Sequence, residues 1–262
     1  MTISLNHNGT LRTADTDAAV DISIPLRFGG DQPNAFFLPH AAAVVAEGGE
    51  FLGDTRRGGS CNCETVTLNP HGNGTHTECV GHLSVNRLAV RDAVREMLVP
   101  CLLVSVDPQG DGEGGFRITW EQLDDEVRRH RGAMAVDTEI PALAIRTLPN
   151  STAKMEAEWS GNRPPYLAPA AAEWIRSRGV RHLLVDIPSL DREEDPLLTA
   201  HRIFWELPAD GPVEGDPADG RTITEMIFVP DTLADGVYLL NIQVPPFMLD
   251  AAPSRPLLIP LS

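Results

Sequence analysis

Basic residues are scarce in this chain. Lys and Arg together number 21 against 37 Asp and Glu, a formal net charge of −16 at pH 7, whereas phosphate backbones are bound through clustered positive charge. Nucleic acid is therefore excluded as a partner. The acidity names no substrate, because acidic surfaces mostly serve solubility. Long apolar runs are missing as well: the greasiest stretch, residues 97–106, is broken by Pro100 and is far shorter than the roughly 20 residues of a membrane helix. No basic start followed by an apolar core opens the sequence, so no signal peptide is read there and the cytoplasm is the expected compartment. Cys61, Cys63, Cys79 and Cys101 are too few and too dispersed for a disulfide framework. Cys61 and Cys63 share a face if extended, but they have no partner pair at a zinc-site spacing. They and Cys79 read as reduced, partly buried thiols rather than ligands.

What is present suits an ordinary globular protein: 262 residues, 42% hydrophobic and 22% charged, enough to bury a sizeable core. The continuous apolar character of 99–106 predicts a buried strand, and 141–147, PALAIRT, reads as another. Further strands are expected at 21–26, 61–68, 182–187, 221–229 and 237–244. Residues 119–130 predict a helix, with Thr119 as cap, Gln122 three positions on and a basic last turn. Another helix is expected at 169–178, with Pro169 in its first turn and Gly179 just past its end. A short one at 197–206 carries His201. Residues 36–47 read as partly helical despite Pro39, 85–97 as a helix or irregular crossover, and 207–220 as a surface insertion. The segment 148–166 is a long loop near a pocket or an exposed flap. Strands interleaved with helices give an α/β class. No repeat or boundary divides the chain, so 1–262 reads as one domain with 1–20 as a flexible arm.

The densest chemistry lies in Asn69 to His82, NPHGNGTHTECVGH. If residues 75–78 are extended, alternation points His76 and Glu78 the same way. Imidazole with carboxylate is a donor set suited to a divalent metal such as Zn or Mn. Gly72 and Gly74 permit the turn that would return His71 toward His76. A solvated, His-rich loop is the competing reading, but three His and a Glu at this density favour a metal or catalytic site.

With these residues the chain resembles the cyclase-type metal hydrolases that include bacterial kynurenine formamidase (arylformamidase) and isatin hydrolase, whose signature is H-x-G-T-H-x-D-x-P-x-H. Gly74–His76 supply GTH, Glu78 the carboxylate two residues on, and His82 the final His. The likeness continues through ALAIRT at 142–147, the helix, strand and P-S-x-D turn of 169–191, His201 in LLTAHRIFW and Glu225 in ITEMIF. It implies a single-domain swivelling β/β/α fold, a homodimer, and one or two divalent ions. By position, His76 and Glu78 would bind a first metal, Glu78 would bridge to a second completed by His201 and Glu225, and His82 would be the general acid/base. A metal lowers the pKa of bound water and polarises a carbonyl, and a nearby imidazole can take and return a proton near neutral pH.

Four departures mark a divergent member. Gly72 stands at the first His, so His71 serves only if one extra residue is absorbed; Glu78 is a methylene longer than Asp; Val80 replaces Pro; and His201 and Glu225 lie farther apart than expected for a formamidase, the extra residues coinciding with 207–220. Taken alone, His201 beside Phe204 and Trp205 reads as a core histidine, and Glu225 between Ile223 and Ile227 reads as facing solvent, or inward if those isoleucines lie on the outside of the strand or if both faces are buried. Two functions follow. One is a metal-dependent amidohydrolase, arylformamidase-like, cleaving an amide or a cyclic amide or lactone of a small molecule. The other is a metal-depleted relative that binds or isomerises a small molecule. His40, His130 and His182 read as surface or packing residues; Trp159 and Tyr166 read as core or rim, with a pocket lining as the alternative.

Overall fold

The apolar runs in the middle of the chain build a sheet buried on both faces. In the computed structural model, which describes residues 1–7, 10–130, 139–216 and 218–261, Thr222–Glu225, His182–Val185, Ala142–Thr147 and Leu98–Val106 lie side by side and parallel. Alternation sorts their side chains. Leu102, Val104, Leu143, Ile145, Leu183, Val185 and Ile223 face a core shared with the helices Trp120–His130, Pro169–Ser177 and Thr199–Phe204. Cys101, Leu103, Ala142, Ala144 and Leu184 face the other way, against Ile22, Val229 and Leu258. Antiparallel strands extend both edges. Gly236–Asn241, Leu257–Pro260 and Val20–Asp21 follow Leu98–Val106, while His76–Cys79 pairs with Thr222–Glu225 and is itself flanked by Ala251–Pro253. The expected α/β class stands.

Local signals account for the helices. Thr119 N–H donates to Gln122 Oε1 at 3.0 Å and Gln122 N–H to Thr119 Oγ1 at 3.4 Å, the reciprocal cap the sequence predicts. Gly179 ends the Pro169 helix with φ +72°.

Several expectations are corrected. The first residues are not a free arm: Thr2–His7 pairs with Thr10–Asp15, and Ala14 is buried against Leu239 and Ile259. Residues 36–47 hold no helix; Ala42–Val45 pairs with Glu64–Thr67 in a two-stranded antiparallel ladder, as the β-branched Val44 and Val45 favour after the break at Pro39. Of the strand predicted at 21–26 only Asp21 is ladder-paired, in the two-residue strand Val20–Asp21, because Ser23 N–H and Ile24 N–H donate instead to the side chains of Asp21 and Thr75. Only Val90–Ala93 of 85–97 is helical. The stretch 207–220, apart from residue 217, which lies outside the described residues, is partly packed down: Val213 is buried and bridges Ser84. The long loop after Thr147 contains the turn Thr152–Glu156 and is fastened there by the chain's only lysine. Lys154 Nζ donates to Thr147 O, Thr147 Oγ1 and Asp186 Oδ2 at 2.6, 2.9 and 2.8 Å. Among the described residues no helix is long and apolar enough to cross a membrane.

Candidate metal centre

Sheet register assembles the first three donors. In the antiparallel pair, His76 lies opposite Glu225, and on the other side Ala251 lies opposite Glu78. Directly opposed residues share a face, so His76, Glu78 and Glu225 project to the face of Ile223, where the helices pack. The Thr199–Phe204 helix brings His201 onto the same face. Every residue of both strands is buried, which resolves the orientation of Glu225: it points inward. Gly74, at φ +120°, turns the chain before the strand, and Asn69 folds back the preceding loop by accepting from His71 N–H at 3.0 Å. Gly72 has its own steric reason. A Cβ there would lie 2.6 Å from Leu38 Cδ1 and 3.1 Å from the Ala35 carbonyl oxygen, so the imidazole comes from position 71.

His76, Glu78, His201 and Glu225 are 0, 1, 2 and 3% exposed, depths at which an uncompensated carboxylate is costly. Glu78 Oε2 lies 3.0 Å from His71 Nδ1, and Glu78 Oε1 lies 3.1 Å from His201 Nε2. Glu225 reaches His76 Nε2 at 3.3 Å and His201 Nε2 at 3.4 Å with its two oxygens. Yet His76 Nε2 and both Glu78 oxygens have no hydrogen-bond partner. The atoms converge without satisfying one another, and this is the observation on which a cation fits. Two of the groups whose donor atoms lie within 4.8 Å of one another share Glu78: His71, His76 and Glu78; and Glu78, His201 and Glu225. Glu78 belongs to both despite its extra methylene.

The outer nitrogen of each imidazole is held. His76 Nδ1 is 3.0 Å from Gly74 O, His201 Nδ1 is 2.6 Å from Asp191 Oδ2, and His71 Nε2 is 2.8 Å from Asp250 Oδ2. Such partners fix the ring and turn the other nitrogen inward. Asp191 also accepts from the N–H groups of Ala200 and His201 at 2.5 and 3.2 Å, capping the short helix while aligning its imidazole. Titration reflects the demand for positive charge. Burial would lower the His71 pKa, but the hydrogen bond to Asp250 and the nearby negative charge of Glu78 hold it up at about 10. Burial opposes His201 too, and Asp191, Glu225 and Glu78 raise it well above the ordinary imidazole range. Burial pushes the Glu78 carboxyl up, but His82, His201 and His71 outweigh it and keep it well below the usual range.

A cavity of about 200 Å³ opens onto the cluster, lined also by Phe36, His82, Ser189 and Leu198. His82 stands on its wall, Nδ1 3.4 Å from Asp250 Oδ2 and 3.9 Å from Glu78 Oε2. All six sequence-predicted residues, His71, His76, Glu78, His82, His201 and Glu225, thus meet. Sequence reasoning missed Asp250, Phe36 and Leu198. Asp250 follows the apolar run PPFML with no pattern to flag it, and Phe36 and Leu198 carry positive φ, which sequence does not announce. Asp191 was visible only as the end of the P-S-x-D turn. Cys79 alternates to the opposite face, into a small apolar cluster, where burial pushes its thiol up to about 12. Cys61 and Cys63 are exposed free thiols rather than partly buried ones. His40 pairs with Glu158 at the surface and His182 is buried beside Thr222. Trp159 lines a small recess continuous with Phe36 and Ser189, whereas Tyr166 lines a separate groove under Arg192.

Residues 20–192 match the family model described as a putative cyclase, and the chain belongs to that family. Solved structures share its fold. A predicted metal-dependent hydrolase from Bacillus stearothermophilus matches at 16% identity and TM-score 0.59, over 92% of this chain and 97% of that one. An isatin hydrolase bound to the product analogue thioisatinate matches at 14% and 0.65, over 93% and 92%. Isatin hydrolase A from Labrenzia aggregata, bound to benzyl benzoate, matches at 15% and 0.63, over 92% and 93%. No curated protein matches by sequence.

Proposed function

We propose that this protein is a metal-dependent hydrolase that opens an amide, cyclic amide or lactone bond in a small molecule. The reading rests on the buried, mutually unsatisfied oxygens and nitrogens around Glu78. His71, His76 and Glu78 would hold one divalent cation, and Glu78, His201 and Glu225 a second, with Zn or Mn suiting the mixed N/O donors. Such a cation supplies Lewis acidity, making water more acidic and a carbonyl more electrophilic. The chain's own groups do the rest. His82 turns Nδ1 toward Asp250 and Glu78, which leaves Nε2 as the atom that takes a proton from water and returns it to the leaving group. Phe36 and Leu198 give the cavity an apolar wall that orients the organic part of the substrate and limits water. The isatin hydrolase likeness supports cyclic amides as first substrates, with N-formyl anilines and simple lactones beside them. The family resemblance adds a homodimer, which sedimentation velocity tests.

The deciding experiment is metal analysis of protein purified without chelator, followed by that substrate panel. Stoichiometric Zn or Mn that is lost in His76→Ala, together with hydrolysis that follows metal content, is the expected result. A folded protein that takes up neither metal and hydrolyses nothing would overturn the reading in favour of a metal-depleted binding protein.

A further inference from the structure

We infer that Asp250 is a positioning residue that fixes the tautomers of both His71 and His82 with one carboxylate. The roles of those rings rest on the hydrolase reading above; how they are held does not. Asp250 is delivered by the sheet: it directly precedes Ala251–Pro253, the strand paired along the outer side of His76–Cys79, and its carbonyl accepts from Cys79 N–H at 3.0 Å. That pairing sets its carboxylate beside the end of the strand where the chain turns to His82. Oδ2 then lies 2.8 Å from His71 Nε2 and 3.4 Å from His82 Nδ1. The two rings stack loosely, with centroids 4.3 Å apart and planes inclined by 31°, and Asp250 closes over their shared edge.

The geometry at His71 is unlike that at the other two inward-facing imidazoles. His76 and His201 present Nε2 to the carboxylates, whereas His71 presents Nδ1. Nδ1 is the nitrogen nearer the backbone, so the ring approaches side-on, and its outward nitrogen is Nε2. A neutral imidazole with the proton on Nδ1 could not donate its lone pair inward. An acceptor at Nε2 is therefore required, and Asp250 is that acceptor. The same carboxylate draws the His82 proton to Nδ1 and leaves Nε2 unprotonated on the cavity side. His71, His82 and Asp250 also have donor atoms within 4.8 Å of one another, but His71 Nδ1 already faces Glu78, and a third cation here would need both nitrogens of one ring. The carboxylate is better read as an orienter.

The test is the protonation site of each ring, read by long-range proton–nitrogen NMR on zinc-loaded protein and on metal-free protein at an alkaline pH above the His71 value of about 10, where the ring is neutral. Wild type should carry a proton on His71 Nε2 and on His82 Nδ1. In Asp250→Ala both rings should lose that fixed tautomer, zinc affinity by chelator competition should fall about 10–100-fold, and kcat at saturating zinc should fall more than KM changes. Asp250→Asn keeps the volume and one acceptor; it guards against misfolding and should fall between wild type and Ala. A His71 that binds zinc through Nε2, or an Asp250→Ala protein with unchanged tautomers and zinc affinity, would overturn the assignment. Absence of zinc binding and turnover in wild type would sink the hydrolase reading alone, because the alkaline metal-free spectra still report whether Asp250 sets the rings.

Discussion

Replacing Lys154 by Met should destabilise the protein far more than a surface substitution. All three ammonium hydrogens are used within the fold, and the Asp186 side chain they serve is 0% exposed against 11% for Lys154. Removing one partner of such a pair leaves a buried charge unmatched and costs about 3–5 kcal/mol. Thr147 still donates to Asp186 through its N–H and hydroxyl at 2.8 and 2.9 Å, which places the expected loss near the lower end, about 3 kcal/mol. For a domain of this order that lowers Tm by roughly 6–12 °C. The pH dependence has a definite sign. Burial already raises the Asp186 pKa above its ordinary 3.8, with Lys154 and Thr147 opposing, and loss of Lys154 raises it further. A carboxyl that holds its proton more tightly when folded does no harm below the unfolded pKa and destabilises as pH rises through the folded pKa. The deficit of Lys154→Met should therefore widen from pH 4 upward, and adding Asp186→Asn should recover most of it. Urea unfolding of the wild type, both single variants and the double variant at acidic and alkaline pH measures this. A Lys154→Met protein within about 0.5 kcal/mol of wild type at alkaline pH, or a deficit that shrinks as pH rises, would refute the argument.

Two further outcomes are expected. His82→Asn should reduce turnover by about 10²–10⁴-fold while metal content stays near wild type; loss of metal together with activity would mean that His82 is a ligand. Burial lowers the His182 pKa, with Glu96 opposing, so its contribution to stability is present above the unfolded value of 6.5 and is lost as pH falls below it. His182→Gln should flatten the acid side of the stability profile, and an unchanged slope between pH 5 and 7 would count against that cause.

The central strands were legible because stretches such as Ala142–Ile145 are apolar at every position, a pattern that burial on both faces explains. The Thr119 and Pro169 helices were legible from their ends. What escaped was set by distant partners. Residues 36–47 are Ala-rich enough to suggest a helix, but pairing with Glu64–Thr67 decided otherwise. The site was legible as composition and by likeness, since His76 and Glu78 follow from alternation. Whether His71 could reach depended on how the loop before the strand folds, and Gly72 in that loop packs against Leu38 and Ala35, which lie more than thirty positions earlier. Asp250 enters through a strand register that no local pattern encodes, and the inward turn of Glu225 required knowing that both faces of its strand are covered.

The strand that carries His76 and Glu78 has consequences for how the chain matures. Its partners are synthesised last: His76 pairs with Glu225, 149 positions downstream (225 − 76), and Glu78 with Ala251, 173 downstream (251 − 78). On the ribosome this segment waits unpaired through most of translation, and its hydrophilic neighbourhood, from Asn69 to Thr77, makes it a poor template for stray pairing in the meantime. A cation could meet His71, His76 and Glu78 early, because they lie within residues 71–78, but the second set waits for His201 and Glu225, so that half of the centre closes only once the late strands are in place.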